Sequence, residues 1–249
     1  MNSAPEAKLV LITGAAKRVG ARIARTLHQS GANVLLHYRA AAAEAAALVA
    51  DLNAERPGSA CCLQADLRDT GALHGLVEAA LARFGRLDAL VNNASSFFPT
   101  PIGSIDEAAW DDLIGSNLKG PLFLSQAAAP QLRICRGAIV NITDIHAEWP
   151  LKNYPLYCAA KAGLLGLTRA LALELAPEVR VNAVAPGPIV WPDNGAFDAD
   201  ARAEIIGRTL LARIGEPADI ARTVRFLLFD APFVTGQVIN VDGGRSTHL

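Results

Sequence analysis

The sequence predicts a single-domain α/β protein built on a doubly wound, parallel, seven-stranded sheet. Three observations carry that prediction. Short apolar runs alternate with longer helix-like stretches along the whole chain, the rhythm of strand, crossover helix and next strand. Most of the runs are continuously apolar, without polar residues at every second place, which suits strands covered on both faces. The 249 residues, 51% of them hydrophobic and 19% charged, are enough to bury one large core.

The seven strand-like runs are "KLVLITG" (8–14), "NVLLHYR" (33–39), "SACCLQAD" (59–66), "LDALVNNA" (87–94), "GAIVNIT" (137–143), "VRVNAVAPG" (179–187) and "QVINVDGG" (237–244). The segments 18–30, 40–55, 70–84, 107–133, 156–176 and 217–229 are rich in Ala and Leu and read as helices. Gly31 stands where the first helix should stop, and Pro177 closes the helix ending near Ala176. The stretch 188–210 breaks the alternation and is expected to form a lid over a ligand. No linker or repeat interrupts the chain, and the only biased tract is the Ala-rich helix at 40–47.

Bulk properties narrow the function. A net charge of -1 argues against a nucleic-acid binder, which would carry a basic excess. No apolar run reaches the roughly 18 residues needed to span a bilayer. The start, "MNSAPEAK", runs straight into a strand without the apolar core of a secretory signal. Cys61, Cys62, Cys135 and Cys158 match no metal-ligand spacing, and the adjacent pair is poorly placed to bridge. A reduced, cytoplasmic setting without a metal is expected.

The turn after the first strand, "LITGAAKRVGARIA", places Gly14 and Gly20 where a dinucleotide pyrophosphate meets helical N–H groups. Gly14 permits the tight turn and Gly20 the close approach of helix to sheet. Arg18 replaces the middle glycine of the usual fingerprint, beside Val19. The second strand ends His37-Tyr38-Arg39, with no acid for a ribose 2′-OH. Arg39 offers a planar donor fork suited to a 2′-phosphate, so NADP(H) is favoured over NAD(H). Asp66, followed by Leu67, either accepts a hydrogen bond from adenine or caps the next helix.

Tyr157 and Lys161 stand four apart on one helix and so share a face. A phenol of pKa about 10 is a poor acid or base at neutral pH, and a nearby ammonium pulls that pKa down. Tyr154 has no such lysine. Asp144 follows the fifth strand, in "NITDIHAEWP". A hydroxyl there could donate to a carbonyl oxygen gathering negative charge, whereas an ionised carboxylate only accepts and repels it. Asp144 therefore disfavours simple ketones and suits a substrate with N–H donors or a ring nitrogen to be protonated. By its own charge it also raises the phenol pKa against Lys161. Its alternative role is to turn away and cap the following segment. His146 has no partner evident in the sequence and reads as structural.

With "TGAAKRVG", "NNAS" at 92–95, Asn117, and Tyr157 followed by Lys161, the chain resembles the short-chain dehydrogenase/reductases over residues 8–244. Within that family it looks most like the pteridine reductases, which share the arginine at 18, the continuation "NNASSFFPTP" at 92–101 and the aspartate at 144. The resemblance implies a Rossmann fold, commonly a homotetramer, and NADPH-dependent reduction of a pterin or folate. It implies cofactor contacts from Asn93, Ala94 and Ser95, from Tyr157 and Lys161, and from Pro186, Gly187 and Ile189. It also implies that Asn117 holds a water in a relay with Lys161; read alone, Asn117 could equally pin a helix kink. Phe97 aligns with the aromatic that sandwiches a pterin against the nicotinamide, whereas Phe98 reads as a loop anchor. Ser95 and Arg18 could bond the pterin or the phosphates, and Trp191 could shape the pocket. Pro188 and Ile189 stand where a hydroxyl residue is often found, a departure from the family pattern. The competing expectations are a carbonyl reductase of the ketoacyl type and, from another class, an NADPH sensor without turnover.

Overall fold

In the computed structural model, which describes residues 7–191 and 197–247, seven strands form one wholly parallel sheet. They are β1 (Leu9–Ile12), β2 (Asn33–Tyr38), β3 (Ala60–Gln64), β4 (Ala89–Asn92), β5 (Ala138–Ile142), β6 (Arg180–Pro186) and β7 (Val238–Val241), in the order β3-β2-β1-β4-β5-β6-β7. The helices are α1 (Arg18–Gln29), α2 (Ala42–Glu55), α3 (Leu73–Phe84), α4 (Glu107–Ile114), α5 (Gly120–Cys135), α6 (Pro155–Glu174), α7 (Ala199–Gly207) and α8 (Pro217–Arg225). The result is the doubly wound α/β arrangement of a Rossmann-like domain.

The apolar runs lack alternation because both faces of the sheet are covered. On β1, Val10 and Ile12 enter one core with Ile23 and Leu27 of α1, Leu52 of α2 and Val224 of α8. Their neighbours Leu9 and Leu11 enter the other, with Leu76 of α3 and Leu124 and Leu132 of α5. Successive side chains of a strand point to opposite faces, so an apolar residue is needed at every step. Leu11 is paired with Leu35 of β2 on one side and Leu90 of β4 on the other. Between β1 and β4 the direction of winding reverses, and a crevice opens there at the carboxyl ends of the strands.

Three elements differ from the sequence expectation. The single helix expected at 107–133 is α4 and α5 joined through a π-helical turn, Gly115–Lys119. The expected lid holds a helix of its own, α7, whose N-terminus is capped by Asp198 accepting from the Ala201 N–H at 2.8 Å. Of the expected lid, 192–196 lie outside the described residues, as does the start of the N-terminal run at 1–6. Finally, α6 is a 20-residue helix with a mean hydropathy of 1.3, long and apolar enough to cross a bilayer by length and composition. Half of that stretch is buried inside the protein, and it carries the buried Tyr157 and Lys161. Its apolarity is accounted for by packing against the sheet.

Candidate active site

A cavity of about 750 Å³ occupies the crevice, a size suited to a small organic ligand or cofactor. Its floor is the turn between β1 and α1. Gly14 has a φ of +61°, and a Cβ there would lie 2.8 Å from Ala94 Cα. A Cβ on Gly20 would lie 2.2 Å from the Gly14 carbonyl oxygen and 2.6 Å from Asn93 Nδ2. Asn93 ties the turn down by donating to the carbonyls of Thr13 and Gly14 at 2.9 and 3.1 Å. Thr13 Oγ1 accepts from the N–H groups of Asn93 and Ala94. The "NNA" segment therefore braces the glycine turn from behind. Asn92 is core structure, hydrogen-bonded to Asn141, which in turn bonds Thr168.

The N-terminus of α1 fits an anion. No side chain caps it and no acidic residue lies in its first turn, so its N–H groups and the positive end of its dipole are left for a phosphate. Lys17 and Arg39 line the cavity nearby. Lys17, which the sequence reading missed, is paired with Glu44 at 2.6 Å, and Arg39 lies 3.6 Å from Asp112. Asp66 lines the cavity, as a residue placed for adenine would, but it does not cap the next helix. It is held by the Arg68 side chain and backbone N–H at 2.6–3.0 Å, which pulls its carboxyl down to about 2, and the cap position of α3 is Ala72. His37 is a strut: its Nδ1 accepts from the Gly14 N–H at 3.2 Å and its Nε2 lies 3.0 Å from the Ala65 carbonyl. Burial lowers its pKa, consistent with a neutral ring satisfied on both sides. Tyr38 does not line the cavity, while Leu67 does.

At the other end Asp144 caps the following segment, as its alternative role foresaw, but without turning away from Tyr157. Oδ1 accepts from the His146 N–H at 2.8 Å and so caps the short 3-10 helix Ile145–Ala147. Oδ2 accepts from the Tyr157 hydroxyl at 2.6 Å. The phenol is pushed well above its ordinary value, first by burial and then by the Asp144 charge. The expected lowering by Lys161 is overturned in this arrangement. Lys161, 2% exposed, gives its ammonium to the Ile142 carbonyl at 2.9 Å, and burial brings its own pKa down to about 8. The unit thus holds a protonated phenol on an acceptor, with a cation behind it.

Asn117 does not reach the cavity wall. Fully buried in the π-helical turn, it accepts from Ser95 Oγ at 2.6 Å and donates to the carbonyls of Ser96 and Leu113 at 3.0 and 2.9 Å. Its amide N–H groups are engaged, while its oxygen, which can accept twice, accepts once; the side chain pins the π-helical turn and fixes Ser95 beside Tyr157.

Phe97 lines the cavity, with one face stacked on Tyr154 (centroids 4.5 Å apart, 12° between planes) and Tyr157 set edgewise at 4.8 Å. Phe98 packs in the same small cluster, with Leu113 and Leu156. Pro186, Gly187 and Ile189 line the opposite side. Gly187 is required there, since a Cβ would lie 2.6 Å from Asp242 Cβ. Ile189 is anchored in the core. Arg18, at a φ of +53°, donates to the carbonyls of Val190 and Trp191 at 3.0 and 2.9 Å, linking the glycine turn to the start of the segment expected to form a lid. Trp191 packs near Phe197 and under the Arg202 guanidinium. Other wall residues were not assigned from the sequence, among them Ser96, Thr143, Leu151, Ile205 and Arg245, and His146, which reads there as structural, also lines the cavity. His146 Nδ1 lies 2.7 Å from the Trp149 carbonyl, so that nitrogen carries the proton. Among the described residues no group of three or more His, Cys, Asp or Glu could hold a metal, and all four cysteines are free thiols.

A family model described as enoyl-(acyl carrier protein) reductase matches residues 14–246. The chain is 39% identical to pteridine reductase 1 of Leishmania tarentolae, covering 99% of each chain. It is 38% identical to a 3-oxoacyl-(acyl-carrier-protein) reductase of Staphylococcus aureus, over 95% of this chain and 97% of the relative. It is equally similar to an uncharacterized oxidoreductase of Methylorubrum extorquens, over 96% and 98%.

Proposed function

The chain belongs to the short-chain dehydrogenase/reductase family, and from that premise we propose that it is an NADPH-dependent reductase of pterins, taking a dihydropterin or dihydrofolate to the tetrahydro form. That it is an oxidoreductase acting on a small molecule follows from the family. Relatives named for pterins and for oxoacyl thioesters are nearly equally similar, so the choice between them rests on the site. The observation that carries it is the 2.6 Å hydrogen bond from Tyr157 to Asp144, made in the wall of the cavity beside Phe97.

A cofactor held by the α1 N-terminus, with Lys17 and Arg39 as cations for its phosphates, would supply a hydride to a C=N carbon of the substrate. Lys17 is roughly half exposed and Arg39 half exposed, so each can exchange its carboxylate partner for a phosphate at modest cost. Asp144 accepts N–H bonds from the heterocycle and orients it. The proton shared by Tyr157 and Asp144 passes to the ring nitrogen next to the carbon being reduced, and Lys161 offsets the charge left behind. Phe97 offers a flat surface for the ring, and such stacking adds about 0.5–1.5 kcal/mol beyond burial. A carboxylate is ill suited to a carbonyl substrate because it repels the oxyanion: two like charges 4 Å apart cost about 1 kcal/mol even in water, and more when desolvated. The Arg18 bonds to residues 190 and 191 fit a lid at 188–210 that closes over the ligand.

Steady-state oxidation of NADPH with dihydrobiopterin, dihydromonapterin, dihydrofolate and an acetoacetyl thioester tests this. Turnover of at least one pterin, well above that of the thioester, is expected. Brisk thioester reduction with no pterin turnover refutes it in favour of the ketoacyl reading, and tight NADPH binding without any turnover refutes it in favour of a sensor.

A further inference from the structure

Beneath the lid the cavity wall holds a cation that the reaction above does not use. Arg245 follows the turn Asp242-Gly243-Gly244, whose glycines take φ values of +64° and +82°. A Cβ on Gly243 would lie 2.7 Å from Thr209 Cγ2, and one on Gly244 2.7 Å from Leu210 Cδ1. The turn is therefore pressed against the segment that follows α7. Arg245 is 9% exposed and lines the cavity beside Ile205, Phe197 and Trp191.

A guanidinium carries five N–H donors and no acceptor. In Arg245 one hydrogen bond is made, from Nη1 to the Ile205 carbonyl at 3.0 Å. Among the described residues it forms no ion pair. Glu204 is engaged by Arg208 at 2.8 Å. Asp242 accepts from the N–H groups of Gly244 and Ser246 at 2.9 and 2.7 Å. Burial and then the neighbouring Arg208 work against the charge on Arg245, and the more distant charges of Glu204 and Asp242 only partly offset them. A buried cation with idle donors is costly until an anion meets it. The phosphates of a dinucleotide have their own cradle at the α1 N-terminus, so this second cation, set among lid residues, is placed for the substrate.

Building on the pterin-reductase reading, we propose that Arg245 recognises a carboxylate on the substrate, making the preferred class a reduced pterin with an anionic side chain, as in folates, over a neutral pterin. A planar fork matched to a carboxylate gives two parallel hydrogen bonds, which a lysine ammonium reproduces only as a point charge.

The test is calorimetric titration of the NADP⁺-loaded protein with folate and with biopterin, for the wild type, Arg245→Met and Arg245→Lys, each checked by thermal melting. Arg245→Met should weaken folate binding about 10- to 100-fold, at least tenfold more than it weakens biopterin binding, and Arg245→Lys should recover part of the loss. Parallel losses for both ligands, no loss for either, or a loss confined to NADP⁺ would overturn the assignment. A wild type that neither binds nor reduces either pterin overturns the underlying reading as well. That pattern differs from a wild type that handles both ligands regardless of residue 245.

Discussion

Tyr157 donates its hydroxyl to Asp144 across 2.6 Å while Asp144 simultaneously caps the Ile145–Ala147 turn. One carboxylate therefore fixes a loop and an acid together. A serine in its place would lose an acceptor oxygen and the negative charge. Four outcomes follow from this arrangement and its surroundings.

Tyr157→Phe removes the proton donor and leaves Asp144 Oδ2 without its partner. Pterin reduction should fall about 100- to 10,000-fold in kcat, with the fold retained, since the ring still packs against Phe97. Single-turnover NADPH oxidation measures this. A loss below tenfold would remove Tyr157 from proton transfer.

Arg39→Leu should raise the KM for NADPH about 5- to 30-fold and change that for NADH by no more than about threefold. Arg39 is half exposed and lies near Asp112, which keeps the expected effect at the lower end of charged hydrogen bonds. Equal effects on both cofactors would place the 2′-phosphate elsewhere, with Lys17 as the next candidate.

Gly20→Ala forces a methyl to within 2.2 Å of the Gly14 carbonyl and 2.6 Å of Asn93. Overpacking of this kind costs about 1–3 kcal/mol, so the melting temperature should drop by about 3–10 °C and NADPH affinity should fall with it. A variant as stable as the wild type would contradict the close contact.

Lys161 gives a pH signature. Its pKa is about 8 in the folded protein, lowered by burial from the ordinary 10.5. Between those values the unfolded chain binds more protons than the folded one, so the lysine's contribution to stability rises with pH through this window, by at most about 1.4 kcal/mol per unit. Cys61, raised by burial to about 11, acts in the opposite sense above pH 9. The clean comparison is therefore wild type against Lys161→Met between pH 8 and 9. Chemical denaturation should show the wild type gaining stability relative to the variant as pH rises, and parallel curves would mean Lys161 titrates normally.

Much of this was legible in the sequence because strands buried on both faces must be apolar at every position, and Gly14, Gly20, Asp144, Tyr157 and Lys161 mark the carboxyl edge by type and spacing. What was not legible depended on how side chains pair once the chain is folded. Asp66 gives no sign in the sequence that Arg68 occupies it, because that ion pair competes with a ligand that the sequence only suggests. Asn117 belongs to a π-helical turn, and a single extra residue in a helical turn leaves no mark in an Ala- and Leu-rich pattern. The phenol of Tyr157 was expected to be lowered by Lys161. The opposing pull of Asp144 was legible too; burial, a consequence of packing, is the largest cause and decided the direction. Arg245 sits outside every motif, and only the folded chain, in which the turn after β7 meets Thr209 and Leu210, brings it to the cavity wall.

The central claim is that the charge at position 144 chooses the substrate. The ratio of kcat/KM for a dihydropterin to that for an acetoacetyl thioester, compared between wild type and Asp144→Ser, tests it most directly. The account predicts that the substitution lowers this ratio by about 100-fold or more, through loss of pterin reduction together with gain of carbonyl reduction. An unchanged ratio would contradict it.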